Sequence, residues 1–210
     1  MRPVLAATGL ALGLVATGDP AARPAGPSEE QLAAAMLPGR RRDFLAGRGA
    51  ARRALAAAGL PAGEILREGR RPVLPAGSVG SISHSAGLAV ALAAPAHRFR
   101  ALGCDLELRG LPTAAAHVVL TPDEQTWAIG APTPAEAEHR LLAAFSAKEA
   151  AFKAFGTLLP GSVTNLLGIA AHPVPGGFRA RPRALPDRVL EVRVHPVGPG
   201  VFSWTAAPAE

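Results

Sequence analysis

Phe145-Ser146-Ala147-Lys148-Glu149-Ala150-Ala151-Phe152-Lys153 is the stretch whose reading decides the rest of the chain. Ala, Lys, Glu and Phe sustain a helix here, and at about 100° per residue Glu149 and Lys153 share one face while Phe145 and Phe152 share another. One face packs and the other is left for chemistry. The helical pattern extends outward to Ala135 and Phe155, beginning after the interruption at Pro132 to Pro134. Upstream, Arg100 to Leu108 alternates as a strand, with Cys104, Leu106 and Leu108 facing one way and Asp105 and Glu107 the other. Two carboxylates therefore stand side by side.

Between these segments, Leu111 to His117 reads as a connection, and Thr121-Pro122-Asp123-Glu124 caps a helix with acids near its positive end. Toward the N-terminus, Ser28 with Gln31 forms a capping box opening a helix toward Leu37, which Pro38-Gly39 breaks. A longer helix runs from Arg40 to Ala58 and stops at Gly59-Leu60-Pro61. Its Arg41, Arg48 and Arg52 fall in one arc bordering Phe44, Ala51 and Leu55, which suits either a charged rim or an anion-binding face. A loop, Pro61 to Gly77, contains Arg70-Arg71-Pro72. Strands follow at Val79 to Ser83 and Leu88 to Ala93, joined through His84-Ser85-Ala86-Gly87. From Gly161 the pattern is again of strands, with Leu190, Val192 and Val194 alternating against Glu191 and Arg193, then Val201 to Ala206. No internal repeat is legible.

The apolar run Val4 to Ala16 after Arg2 imitates a short leader, but it is too short to span a bilayer and ends at Thr17-Gly18-Asp19-Pro20. It is read as a buried strand entering a turn. With 210 residues and 49% hydrophobic side chains the chain can fill one large core or two small ones. A single cysteine, Cys104, excludes an internal disulfide and a Cys-rich zinc site, and is read as buried packing in a reducing compartment. The 22 Lys and Arg against 16 Asp and Glu, net +6, favour anionic partners. No Tyr and 4% aromatics leave few stacking residues for single-stranded nucleic acid.

Asp105 and Glu107, at i and i+2 on a strand, can converge on one hard cation with a third acid, Glu149. Each also has a plainer reading: acids on a solvated strand face, and a Glu149–Lys153 helix pair. Lys148 and Lys153 suit charge stabilisation on a transferring phosphoryl group, or a lysine-bearing surface. His84, between Ser83 and Ser85, is a phosphate contact or a hydrogen-bonded turn residue.

The ordered series Arg42-Asp43-Phe44 with Gly47-Arg48 and Ala51-Arg52, Arg71-Pro72, Gly80-Ser81-Ile82-Ser83-His84-Ser85, Gly103-Cys104-Asp105-Leu106-Glu107, and Phe145-Ser146-Ala147-Lys148-Glu149-Ala150 with Lys153 resembles the 4'-phosphopantetheinyl transferases. The match is nearest to the subgroup of enterobactin synthetase component D and the Sfp-like enzymes, and covers roughly residues 28 to 160. The resemblance implies an α+β fold of two similar halves related by a pseudo-twofold, residues 1–110 and 111–210. Each half would be a small antiparallel sheet with packed helices, with the active site between the halves. It implies magnesium-dependent transfer of phosphopantetheine from coenzyme A to a serine of an apo acyl or peptidyl carrier protein, manganese serving as an alternative ion. By the same match Asp105, Glu107 and Glu149 hold the metal, and Lys148 and Lys153 meet the diphosphate. Arg48, Arg52, Arg71, Ser83 and His84 surround the adenosine and its 3'-phosphate, and Glu124 helps deprotonate the serine. The expected enzyme is a cytoplasmic monomer serving acidic carriers, with no nucleic-acid or membrane partner. The alternative is a basic, non-enzymatic module binding nucleic acid or an acidic protein.

Overall fold

Apolar alternation and Pro/Gly punctuation resolve into six helices and ten strands among the described residues, 1–209, of the computed structural model. In chain order these are α1 (Arg2–Ala7), β1 (Ala11–Ala16), α2 (Pro27–Ala34), α3 (Pro38–Ala57), β2 (Leu66–Glu68), β3 (Arg71–Val73), β4 (Ser78–Ser85), β5 (Leu88–Pro95) and β6 (Phe99–Glu107). Then come α4 (Ala116–Val119), α5 (Pro122–Ile129), α6 (Pro134–Leu158), β7 (Ile169–Val174), β8 (Gly177–Pro182), β9 (Leu190–Val197) and β10 (Gly200–Pro208). By contact the chain divides into two compact units, one of Met1–Leu102 with the residues from Pro208 onward, the other of Gly103–Ala207. Asp105, Glu107 and the whole of α6 thus belong to one unit.

In the first unit, antiparallel strands run in the order β1-β5-β4. The central strand β5 is buried from Ala89 to Ala94. Helix α3 lays Ala46, Ala50, Ala51, Ala54 and Leu55 on Val15, Ala89, Ala91 and Ala93. Alanines allow close approach, and Gly13 on β1 completes it: a Cβ there would stand 1.9 Å from the Ala50 carbonyl oxygen. The β4–β5 hairpin turns through Ala86 (φ 50°) and Gly87 (φ 79°), two left-handed residues of the kind tight hairpins require.

In the second unit the strands run β6-β10-β9-β8-β7. Helix α6 covers β7, β8 and β9. Its buried residues include Leu141, Ala147, Ala150, Ala151, Ala154 and Phe155. Helix α5 packs on α6, with Trp127 edge-on to Phe178 of β8 at 5.6 Å. A Cβ on Gly103 would stand 1.9 Å from the Ala150 carbonyl oxygen, as on Gly13 against Ala50.

The mixed α+β architecture of antiparallel sheets and helices matches the expected fold class, and its halves carry a recurrence that is scattered in sequence. Ala11-Leu12-Gly13 and Ala101-Leu102-Gly103 lie on strands, and Ala50-Ala51 with Ala54 and Ala150-Ala151 with Ala154 lie on the long helices. In the first unit Arg53 donates to the Leu14 carbonyl at 2.7 Å and to Asp19 at 2.9 Å. In the second, Lys153 donates to the Cys104 carbonyl at 2.9 Å and to Asp105 at 2.8 Å.

Three local expectations are corrected. The run Val4 to Ala16 is not one strand: Pro3 and the following Leu and Ala residues open α1, Gly9 turns with φ 82°, and only Ala11–Ala16 pairs, with Leu88 to Ala93 of β5. The loop Pro61 to Gly77 contains the small hairpin β2–β3, closed by Gly69 at φ 58°. Helix α2 begins at Pro27, before Ser28, so Ser28 is not its N-cap. Among the described residues no helix is long and apolar enough to cross a membrane.

Candidate active site

Strand β6 carries the paired acids, but their surroundings differ. Asp105 is 3% exposed, flanked by buried Cys104 and Leu106, whereas Glu107 is half-buried. The alternation read from sequence therefore places both acids on one strand without making both of them solvent-facing. The missing side chain at Gly103 lets α6 lie against β6, and about one turn beyond Ala150 this brings Lys153 onto the strand. The Lys153 ammonium donates to Asp105 Oδ1 at 2.8 Å and to the Cys104 carbonyl at 2.9 Å. Burial acts to lower the Lys153 pKa, but Asp105, Cys104 and Glu149 outweigh it and hold the ammonium above its ordinary range. The side chains named from β6 and α6 thus meet.

One turn earlier on α6, Lys148 is 0% exposed and donates to Glu124 Oε2 at 2.6 Å. The same carboxylate accepts the Thr121 N–H at 2.8 Å, closing the cap expected at the start of α5, and the Ala171 N–H of β7 at 2.7 Å. Both Glu124 oxygens are thereby engaged in tying α5, α6 and β7 together. Burial depresses the Lys148 pKa against the pull of Glu124, with Arg183 adding to the depression. The expectation of a serine-activating Glu124 and a diphosphate-facing Lys148 meets two side chains bonded to each other in the interior.

In the first unit, Arg48 lies over the Phe44 ring at 4.3 Å and donates to the carbonyls of Ile65 at 2.6 Å and Leu66 at 3.0 Å. Burial pushes its guanidinium down to about 10, opposed by Glu29. Arg52 is paired with Glu29 at 2.8 Å and donates to the Arg23 carbonyl. Glu29, fully buried, also accepts the Ala25 N–H at 2.9 Å and the Ile65 N–H at 2.6 Å. Sequence reasoning missed this carboxylate. Its only trace was an acid in the first turn of a short helix, where a helix-dipole role is the ordinary reading. Arg71 pairs with Glu68 across the exposed β2–β3 hairpin at 3.0 Å. His84 Nδ1 stands 4.0 Å from Asp43, and Ser83 beside it is buried on β4.

Asp105, Glu107 and Glu149 are hard oxygen donors of the type magnesium and manganese take, so the donor set fits such an ion in kind. Among the described residues no three acid, histidine or cysteine side chains stand together as a metal-holding group. Asp105 Oδ1 forms an ion pair with the Lys153 ammonium at 2.8 Å.

Two family models match the chain: the 4'-phosphopantetheinyl transferase N-terminal domain over residues 28–94, and the 4'-phosphopantetheinyl transferase superfamily over residues 101–177. The chain is similar to 4'-phosphopantetheinyl transferase Npt of Nocardia iowensis, 40% identical over 134 residues, covering 63% of this chain and 59% of that protein. It is also similar to 4'-phosphopantetheinyl transferase Svp of Streptomyces mobaraensis, 38% identical over 161 residues, 74% of this chain and 64% of that protein. The chain therefore spans roughly three fifths of the length of these curated relatives. Among solved structures, a holo-(acyl-carrier-protein) synthase from Bacillus anthracis in complex with coenzyme A (3',5'-ADP) matches at 16% identity and a TM-score of 0.39, covering 54% of this chain and 99% of that one. The matched segments include the Asp105–Glu107 strand, α6 and the arginine-bearing helix α3, and the chain belongs to the 4'-phosphopantetheinyl transferase superfamily.

Proposed function

We propose that the chain transfers 4'-phosphopantetheine from coenzyme A to a serine hydroxyl of an apo acyl or peptidyl carrier protein, releasing adenosine 3',5'-bisphosphate. The observation that carries this reading is the meeting of β6 and α6, where Lys153 joins Asp105 beside Glu149 in a chain of this superfamily. In the reaction a bond forms between the serine oxygen and the phosphorus bearing pantetheine, and the bond from that phosphorus to the bridging oxygen of the diphosphate breaks. The nucleophile belongs to the partner, so no Ser or Cys of this chain has to supply one.

Asp105, Glu107 and Glu149 would hold magnesium or manganese, which when bound neutralises charge on the diphosphate and its leaving oxygen. Lys153 supplies a fixed positive charge next to these acids. Glu124 and Lys148 act by position, their buried pair holding α6 in register with α5 and β7. In the first unit Arg48, Arg52, Arg71, Ser83 and His84 are assigned to the adenosine 3'-phosphate end of coenzyme A. Arg48 and Arg52 contribute positive potential while their donors brace the segment around Ile65, and Arg71 and His84 reach from more exposed positions.

Within the superfamily we assign the chain, on the order and spacing of its motifs, to the enterobactin synthetase component D and Sfp-like subgroup, working as a monomer. Net charge +6 supports acidic carriers through electrostatic steering, and a single buried cysteine suits the cytoplasm. The test is incubation with coenzyme A, magnesium and a panel of apo carriers from fatty-acid, polyketide and peptide synthesis, each weighed by mass spectrometry. A phosphopantetheine adduct on at least one carrier is expected. No adduct on any would overturn the proposal.

A further inference from the structure

Of the two acids on α2, Glu30 pairs at the surface with Arg41 at 2.8 Å, whereas Glu29 is 0% exposed. Glu29 Oε1 accepts the Ile65 N–H at 2.6 Å and Oε2 the Ala25 N–H at 2.9 Å, while Arg52 Nη1 reaches both oxygens, at 2.9 and 2.8 Å. Ile65 is the pivot of this arrangement. Its side chain is fully buried in the core beneath α3, its N–H goes to Glu29, and its carbonyl accepts Arg48 Nε at 2.6 Å. Arg48 Nη2 takes the next carbonyl, that of Leu66, at 3.0 Å, and Glu64 accepts the Glu29 N–H at 2.9 Å. Backbone groups that a neighbouring strand would ordinarily satisfy are held here by charged side chains.

Beyond this root the chain leaves the core. Strands β2 and β3 form a two-stranded sheet of their own, three residues to a strand, too small to be held in place by its own pairing. The hairpin carries Arg67, Arg70 and Arg71, all exposed, against the single acid Glu68, and the charge of Arg67 is near enough to act on Arg48. Where these arginines stand is therefore decided at residues 64–66.

We propose that Glu29 is a positioning residue for anion binding in the first unit: by holding Ile65 and Arg52 it fixes the root of the β2–β3 hairpin against α3. It thereby sets where Arg67, Arg70 and Arg71 stand relative to Arg48 when a phosphate monoester is bound. This rests on the reading that gives the first unit the adenosine 3'-phosphate end of coenzyme A. The charge of Glu29 and its position act in opposite directions. A carboxylate near a phosphate repels it, so on charge alone Glu29→Gln would tighten phosphate binding. On position, loss of the anchoring carboxylate frees the hairpin root, and binding weakens although the net positive charge has risen.

The test is isothermal titration calorimetry of the full chain with adenosine 3',5'-bisphosphate and with adenosine 5'-monophosphate, the ratio of the two affinities reporting on the 3'-phosphate. The variants are Glu29→Gln, a double variant of Glu29→Gln with Arg52→Gln that buries no unpaired charge, and Glu30→Gln, which makes the same charge change at an exposed site of the same helix. Circular dichroism confirms that each is folded. Wild type is expected to favour the bisphosphate by at least about tenfold, from charge-assisted bonds to the second phosphate. Glu29→Gln and the double variant should each cut that preference at least about fivefold, the worth of about one hydrogen bond, with little change for the monophosphate. Glu30→Gln should stay within about twofold of wild type, the range of a screened surface charge. An unchanged or stronger bisphosphate preference in the folded Glu29 variants, or an equal loss for both nucleotides, would overturn the positioning role while leaving the 3'-phosphate assignment standing. A wild type that binds the two nucleotides equally would overturn both.

Discussion

Replacing Glu124 by alanine should unfold the second unit more readily than any surface change, and the structure sets the size of the effect. The substitution strands the Lys148 ammonium, fully buried and 2.6 Å from Glu124 Oε2, and removes the acceptor of the Thr121 and Ala171 N–H groups. Breaking a buried pair from one side costs about 3–5 kcal/mol, and losing a helix cap about 1 kcal/mol. Because the terms share one carboxylate they do not simply add, and a total of about 4–6 kcal/mol is expected. In a chain of this size that is a fall in Tm of about 10–20 °C, a large share of the whole stability. Lys148→Met should cost less, about 2–3 kcal/mol, since Glu124 keeps two backbone donors. Combining Glu124→Gln with Lys148→Met leaves no unpaired charge, so the double variant should be more stable than Glu124→Ala and show a coupling energy of at least about 2 kcal/mol. Urea denaturation followed by circular dichroism measures the cycle, and carrier mass spectrometry below the melting range measures transfer. A cost under about 1 kcal/mol for Glu124→Ala, or a Glu124→Gln variant of wild-type stability with no transfer, would refute the positional role and restore Glu124 as a chemical participant.

Further outcomes can be checked separately. Asp105→Ala or Glu149→Ala should abolish phosphopantetheine transfer while circular dichroism stays native-like; wild-type turnover in either would remove that residue from the metal set. Gly103→Val should cost about 3 kcal/mol or more, because a Cβ there would stand 1.9 Å from the Ala150 carbonyl, and a stable variant in thermal melts would show that α6 has room to shift. The Ala21 N–H, and then Arg53, hold the Asp19 carboxyl below its ordinary value of 3.8. Its folded pKa is depressed, so its contribution is present above the unfolded value and is lost as pH falls through the folded one. Asp19→Asn should therefore reduce stability at neutral pH and flatten the acid limb below about pH 4, where parallel limbs for variant and wild type in urea titrations would contradict the assignment.

The motif residues on β6 and α6 were legible because their periodicities are strong. The strand holding Asp105 and Glu107 and the helix holding Glu149 and Lys153 both form, although β6 is buried without a break from Ala101 to Leu106 and does not alternate as its period two predicts. The long helix α3, with its stop near Gly59, and the strands around Ala86-Gly87 were legible for the same reason. The segment Val4 to Ala16 was not, because a short apolar run carries no period that separates helix from strand, and only pairing with β5 selects Ala11–Ala16. The recurrence of the two halves was illegible because it is carried by a strand glycine, helix alanines and one long cation, with little identity between them.

By itself, the amino-acid sequence determined the mixed fold class, the main helices and strands, and the residue types that mark the superfamily. Those are properties of local spacing. The tertiary structure alone decided the partners: that Lys153 rests on Asp105, that Lys148 and Glu124 bind each other in the interior, and that Glu29 gathers Arg52 and the Ile65 N–H. A charged side chain can choose among several acids many residues away, and local periodicity carries no information about that choice. It is settled by burial, which makes an unpaired charge too costly to keep and so forces each cation onto the acid that the packed backbone brings within reach.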